Sequence, residues 1–184
     1  MLSPDTESAI LALSRSALEV ERRVAGDRLV NELARPLHRL CANITGNAAD
    51  AEDALQETLL SACQGLPKFH GTAKLTTWVY RIAIRAALEV KRRRARRSET
   101  STDALRGHAA DGTPADEQAE LRQRAMRLHA AMEQLNPEQR AVLSLFAIDG
   151  LGHQEIADVL GIPEGTVWSR LHLARKKLAG LLAS

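Results

Sequence analysis

Apolar side chains recur every three or four positions along most of this chain, which is the spacing that predicts amphipathic α-helices. A regular stripe between residues 29 and 44 consists of Leu29, Val30, Leu33, Leu37, Leu40, Cys41 and Ile44. Similar stripes predict further helices over residues 5–25, 48–65 and 137–148, and others beginning near residues 76 and 117. The chain therefore consists mainly of helices that bury one face.

Glycine and proline mark the predicted helix boundaries. We expect Gly26 to break the chain after the first helix, and Pro36 to kink or split the second, because proline removes a backbone donor. Thr76 is the predicted N-cap of the fourth helix. Apolar residues make up 45% of the chain and aromatic residues only 3%, so aliphatic side chains fill the cores and the fold class is all-α.

Residues 153–184 have the pattern of a helix-turn-helix. Gly161 can take the left-handed conformation that ends a helix, and a second helix follows from about Thr166. Ala157 lets two helices cross closely, and Val167 fills the angle between them. The alternative is that the two helices belong to an ordinary bundle and the polar residues form its solvated face. Such a face does not need so many polar and cationic side chains together, whereas a helix in a DNA major groove does. The predicted DNA-facing residues are Glu164, Thr166, Trp168, Ser169, Arg170, His172, Arg175 and Lys176.

One face of the predicted helix 48–65 is acidic. Asp50 and Asp53 lie near the start of this helix, where carboxylates complement the helix dipole. Dipole compensation does not explain Gln56 and Glu57, which continue the same face. We therefore expect these four residues to bind a basic partner.

Three of the five aromatic residues lie in or just after the loop that precedes the fourth helix: Phe69, Trp78 and Tyr80. Aromatic rings among basic side chains form a stacking platform for unpaired bases. The alternative that Trp78 and Tyr80 are core residues stays open. The candidate set for melted DNA is Lys68, Phe69, His70, Lys74, Trp78, Tyr80, Arg81, Arg85, Arg92 and Arg93.

Charge and composition divide the chain, although its net charge is only +2. A basic run over residues 91–97 is followed by a mainly acidic segment without periodicity, rich in Ser, Thr, Gly, Pro and Asp. We predict two small helical domains, 1–97 and 119–184, joined by a flexible acidic linker over 98–118. We expect the domains to move independently until a partner binds both.

The order of these motifs resembles that of extracytoplasmic-function (ECF) sigma factors, minimal members of the sigma-70 family of bacterial transcription initiation factors. Residues 50–58, DAEDALQET, resemble the helix that binds the polymerase clamp. Residues 78–83, WVYRIA, open a helix that resembles the promoter-melting element. Residues 135–140, LNPEQR, and 165–171, GTVWSRL, resemble the reader of the upstream promoter element.

The resemblance implies a first domain that docks on core RNA polymerase and opens the −10 promoter element, and a second that reads the −35 element. It places Asp53, Gln56 and Glu57 at clamp contacts, and the loop 69–74 at capture of a flipped-out base. Promoter DNA and core polymerase are therefore the expected partners, and we expect an anti-sigma factor to control the protein. Catalysis would belong to the polymerase, so we expect no enzymatic activity.

The chain departs from the family at residues 84–85, Ile-Arg, where Arg-Asn is frequent, and at Trp168, where Lys is common. Two rival interpretations stay open. A dimeric helix-turn-helix regulator would explain only the C-terminal half. A sigma mimic would bind an anti-sigma factor but no DNA, and Arg170, Arg175 and Lys176 argue against it.

The six histidines and two cysteines show no metal-ligand spacing, so we expect neither a metal nor another cofactor. Cys41 and Cys63 are interpreted as small buried apolar residues of a reducing compartment, with a regulatory disulfide as the alternative. No apolar run is long enough for membrane insertion, and the N-terminus lacks a signal pattern, so we expect a cytoplasmic protein.

Overall fold

A computed structural model describes residues 2–100 and 116–183, with side chains over 2–97 and 123–183. These residues form eight α-helices and no strand, which confirms the all-α prediction. The helices are α1 Pro4–Ser14, α2 Glu19–Thr45, α3 Ala48–Gly65, α4 Leu75–Thr100, α5 Asp116–Glu133, α6 Pro137–Ala147, α7 His153–Leu160 and α8 Glu164–Leu182. Most of the predicted linker, residues 101–115, lies outside the described part, so its flexibility stays a prediction.

Helices α1 to α4 form the first unit, in which α2 packs against the other three. The predicted break at Gly26 is wrong, because α2 continues through it. A Cβ atom at Gly26 would lie 3.4 Å from Cys63 Sγ of α3, so this glycine allows two helices to approach closely. The chain breaks earlier, where Ser16 Oγ accepts from the Leu18 N–H group at 3.1 Å and Arg22 Nη1 donates to the Ser16 carbonyl at 2.9 Å.

Pro36 lies inside α2 without splitting it. A proline in a helix interior costs about 3 kcal/mol. Leu33 and Leu37 on either side of it are almost completely buried, like the rest of their stripe. Packing of this long apolar face stabilises the helix more than the lost hydrogen bond destabilises it.

The start of α4 also differs from the prediction. The helix begins at Leu75, and Thr76 lies within its first turn as a buried residue instead of capping it. The Leu75 N–H group donates to Glu7 Oε1 of α1 at 2.8 Å. A side chain 68 positions away in sequence therefore satisfies the first backbone donor of α4.

Helices α5 to α8 form the second unit, in which α8 packs against α5, α6 and α7. The α6 helix begins with a capping box, since Asn136 Oδ1 accepts from the Gln139 N–H group at 2.7 Å and Gln139 Oε1 accepts from Asn136 at 3.3 Å. The α7 helix ends at Gly161, which has a left-handed φ of 65°. Val167 is completely buried, and the helix-turn-helix prediction is confirmed.

The two units pack against each other, with α2 on α6 and α4 on α7. Their buried apolar residues belong to one contiguous hydrophobic cluster. The sequence did not predict this contact, and the expectation that the units move independently until a partner binds both stays a prediction. The expectation rested on the linker's composition, whereas the contact depends on packing between α2 and α6 and between α4 and α7.

None of the helices in the described ranges has the length and apolar character needed to cross a membrane. Among the residues described, no group of three or more His, Cys, Asp or Glu side chains is arranged to hold a metal ion. Both cysteines are free thiols, and burial raises the pKa of Cys41 to about 12.

Candidate macromolecular interfaces

The predicted acidic face lies along α3. Asn47 caps this helix, and its side-chain oxygen accepts from the Asp50 N–H group at 2.8 Å. This cap fixes the register in which Asp53, Gln56 and Glu57 all project to solvent. The four predicted residues therefore lie on one helix, with three of them exposed.

Arginines of α4 border this acidic face. Arg94 Nη1 lies 3.0 Å from Asp50 Oδ2, and Arg93 Nη2 lies 2.5 Å from Glu57 Oε1. Asp53 lies between these two ion pairs in sequence and is exposed. The structure thus joins a predicted polymerase-binding residue, Glu57, to a predicted DNA-binding residue, Arg93.

The three aromatic rings near the loop do not form an exposed platform. Phe69 and Tyr80 are buried, with exposures of 7% and 4%, and Trp78 is half-buried. The Phe69 and Trp78 ring centroids are 5.2 Å apart, and Trp78 packs so closely on Gly65 that a Cβ atom there would lie 2.8 Å from the indole. Of the two interpretations left open for Tyr80, the structure therefore has the core residue.

Some basic residues of the candidate set for melted DNA are exposed, and others contact the second unit. The side chains of Lys68, His70, Arg85 and Arg92 are exposed. Arg81, in contrast, donates through both Nε and Nη2 to the Asp158 carbonyl, at 2.9 and 2.5 Å. The carbonyl belongs to α7, so Arg81 joins the two units.

Two further polar contacts join the units. Lys74 Nζ lies 3.2 Å from Glu155 Oε1, and the Gly152 N–H group and this lysine together hold the pKa of Glu155 below its usual range. The Tyr80 hydroxyl donates to Asp149 Oδ1 at 3.4 Å. Burial raises the pKa of both Tyr80 and Asp149.

On α8, the predicted DNA-facing residues lie outside the buried stripe of Val167, Leu171 and Ala174. Those exposed are Glu164, Trp168, Ser169, His172, Arg175 and Lys176, while Thr166 and Arg170 are half-buried. Arg170 Nη2 lies 2.9 Å from Glu138 Oε2 of α6. This ion pair orients the guanidinium before any DNA is bound.

A stack of aromatic rings that the sequence did not reveal packs against the exposed face of α8. The Trp168 and His153 rings are parallel within 6°, with centroids 3.9 Å apart. The Phe146 and His153 ring centroids are 5.3 Å apart, and the Arg175 guanidinium lies 4.6 Å from the centroid of the Phe146 ring. Because the members come from α6, α7 and α8, no local pattern indicates this stack.

The contact between the units brings the two predicted DNA-binding sets together. Arg81 and Arg85 of α4 line the same crevice as Arg170 of α8 and Glu138 of α6. Sequence reasoning treated these sets as separate surfaces. In this arrangement they lie side by side.

Comparison with known proteins accounts for this combination of surfaces. Residues 29–97 match Sigma-70 region 2, and residues 125–178 match Sigma-70, region 4. The chain is 34% identical over 160 residues to the ECF RNA polymerase sigma factor SigM of Mycobacterium tuberculosis, covering 87% of this chain and 78% of that protein. It is also 34% identical over 172 residues to the RNA polymerase sigma-H factor of Pseudomonas aeruginosa, covering 86% and 89%.

Among solved structures, the fold is similar to the sigma factor RpoE from Bartonella quintana in its complex with the anti-sigma factor NepR. The TM-score is 0.67 at 23% identity, over 85% of this chain and 96% of that chain. The two matched regions lie one in each helical unit. The class that these regions define is the sigma-70 family of transcription initiation factors, and within it this chain belongs to the ECF sigma factors.

Proposed function

We propose that this chain binds core RNA polymerase through the acidic face of α3 and directs the enzyme to specific promoters. The observation that carries the proposal is the exposed set Asp53, Gln56 and Glu57, because it lies within the residues that match Sigma-70 region 2. A regulator that only binds DNA has no use for such a face. Carboxylates at an interface favour a basic partner and disfavour DNA phosphates.

The α8 helix reads the −35 element in this proposal. The second helix of a helix-turn-helix lies in the major groove and presents its exposed side chains to base edges. Ser169 has a short side chain, and Arg170 is held in place by Glu138. The guanidinium of an arginine can donate two hydrogen bonds to one guanine. Lys176 is exposed and extends to phosphates, which fix position without reading sequence.

The loop and α4 act on the −10 element mainly through charge. Lys68, His70, Arg85 and Arg92 are exposed and can follow the backbone of a separated strand. Phe69 and Trp78 pack against each other beneath the protein surface. In this proposal, a base stacks on these rings only after the loop has moved. Arg81 becomes available to DNA only when it leaves the Asp158 carbonyl.

We further propose that an anti-sigma factor controls this activity, because the structurally similar sigma factor RpoE forms a complex with the anti-sigma factor NepR. The chain is a transcription initiation factor, and the chemistry of initiation belongs to the polymerase. It acts where polymerase and chromosome are found, which is the cytoplasm.

The test is run-off transcription with purified core polymerase, this chain and a library of randomised −35 and −10 elements. We expect transcripts from a restricted set of promoters, and none without the chain. Core polymerase alone and the chain with its α8 residue Arg170 changed to Ala serve as controls. Tight promoter binding by a dimer of the free chain, without transcription, would instead support the plain DNA-binding regulator.

A further inference from the structure

The loop 69–74 is held at both of its ends by the first helix, α1. At the start of the loop, Arg15 Nη2 donates to the Phe69 carbonyl at 3.4 Å. At its end, Glu7 Oε1 accepts from the Leu75 N–H group at 2.8 Å. The contacts join residues 54 and 68 positions apart in sequence, so they form only because α1 packs beside the loop.

Helix α1 is itself fixed to the body of the first unit. Ile10 is completely buried in the hydrophobic core. The helix also packs against α2 and against the short 3₁₀ helix Leu66–Lys68, which precedes the loop. Its own start is capped, since the Ser3 side-chain oxygen accepts from the Thr6 N–H group at 3.1 Å. Both anchors of the loop therefore lie on a helix whose position is set by packing.

The middle of the loop, in contrast, faces solvent. His70, Gly71 and Thr72 are all exposed. Gly71 has a φ of 72°, and a Cβ atom added to it would have no neighbour within 4 Å. A glycine in open space lets the backbone change direction at little cost. The loop thus combines fixed ends with an adaptable tip.

The contact with Glu7 stabilises the first turn of α4. The first N–H groups of a helix have no partner within the helix, so they need an acceptor from elsewhere. A carboxylate at this position also complements the positive end of the helix dipole. Without the Glu7 side chain, the Leu75 N–H group would have to bond to water, and the first turn of α4 would loosen towards solvent. The end of the loop would then lose its fixed place.

We propose that Glu7 and Arg15 are positioning residues for the capture of a −10 base, acting through the loop and not through contact with DNA. Fixed ends leave the loop fewer conformations to lose when its tip closes on an unpaired base, so capture costs less free energy. The tip can move to admit a base to Phe69 and Trp78 while both ends stay in place. This inference rests on the proposed function, because it concerns the same −10 element.

The test is a double-mutant cycle between Glu7 and the captured base, with holoenzyme assembled from core polymerase and this chain. Fluorescence anisotropy measures binding to a labelled single strand that carries the −10 element of a transcribed promoter, and to copies with an abasic site at each position in turn. We expect the wild-type holoenzyme to lose affinity most at one position. Glu7→Ala should weaken binding of the intact strand about tenfold and leave binding of the strand that is abasic at that position unchanged.

Two control variants separate positioning from loss of charge. Glu7→Gln keeps a side-chain oxygen that can accept from the Leu75 N–H group, so it should restore most of the affinity for the intact strand. Asp5→Ala removes an exposed carboxylate from the same first turn of α1 and should not change binding of either strand.

Arg15→Ala keeps the test decisive if Glu7→Ala does not fold, because the Arg15 side chain is exposed. It should also weaken binding of the intact strand and not of the abasic one. Equal losses on the two strands would make these residues structural only and would overturn the inference. A wild-type holoenzyme that tolerates an abasic site at every position would contradict base capture in the proposed function, and the inference would fall with it.

Discussion

Lys91 is a half-buried cation beside another cation. Its Nζ atom donates to the Ile44 carbonyl at 3.2 Å near the end of α2. Burial and the neighbouring Arg140 lower the pKa of Lys91 from 10.5 to about 8. The unfolded chain therefore binds more protons at this group than the folded chain does between these two pH values.

This difference predicts how stability changes with pH. Stability rises with pH wherever the unfolded state binds more protons, so the cost of charged Lys91 is largest below pH 8 and declines towards pH 10.5. We expect Lys91→Met to raise the melting temperature at pH 7, and to raise it less at pH 10. Differential scanning fluorimetry at both values measures this, with the exposed Lys68→Met as control. An equal gain at both values would contradict the lowered pKa.

Two cations on α8 are expected to behave differently. Arg170 is held by Glu138 at 2.9 Å, so its guanidinium has a defined direction, whereas Lys176 is exposed. We expect Arg170→Ala to remove about 1–3 kcal/mol of discrimination between matched and scrambled −35 elements. Lys176→Ala should weaken binding to both elements equally. Promoter binding by the holoenzyme measures both, and equal losses on the two elements for Arg170→Ala would assign that residue to the DNA backbone.

At the scale of the element, α3 allows a sharp test of polymerase docking. Asp53 is exposed, whereas Glu57 is already paired with Arg93. Asp53→Arg therefore reverses a charge without breaking that pair. We expect loss of core polymerase binding through charge repulsion, with helicity unchanged. Glu32→Arg, an equal reversal on the exposed face of α2, should still bind polymerase in the same pull-down.

Individual helices were predictable where the signal was local. The capping box at Asn136 and the left-handed Gly161 both indicate helix ends from neighbouring residues alone. At Gly26 and Pro36 the local signal predicted a break and a kink or split. The helix continues through both, because its packing against other helices outweighs the local preference. The capping of Leu75 by Glu7 likewise depends on a residue from another helix.

The candidate interfaces follow the same division. Exposure of Asp53 and Ser169 follows from helix periodicity, so their faces were predictable. The stack of Trp168 on His153 was not, since it joins side chains that meet only when α7 and α8 cross. Tyr80 is buried where its hydroxyl meets Asp149 of the second unit, so periodicity within α4 left two interpretations open.

At the scale of the whole molecule, the contact between the units opposes promoter recognition. Arg85 and Arg170 line one crevice, whereas the −10 and −35 elements are separated by roughly 85 Å of duplex, at 3.4 Å per base pair. The proposed function therefore predicts that the two units separate before both promoter elements are bound. Binding free energy from polymerase and DNA has to exceed that of the contacts between α4 and α7.

Arg81 is the polar contact between the units whose loss should matter most, because its two donors share one backbone carbonyl. The exposed pair of Lys74 and Glu155 contributes less, since surface ion pairs are worth about 0–1 kcal/mol. We expect Arg81→Ala to shift the free chain towards open forms with a larger radius of gyration, measured by small-angle X-ray scattering. A compact chain of this length has a radius of about 16 Å. Arg85→Ala removes the same charge from an exposed position of the same helix, so its radius should not change. Equal radii for both variants would mean that apolar packing alone holds the units together.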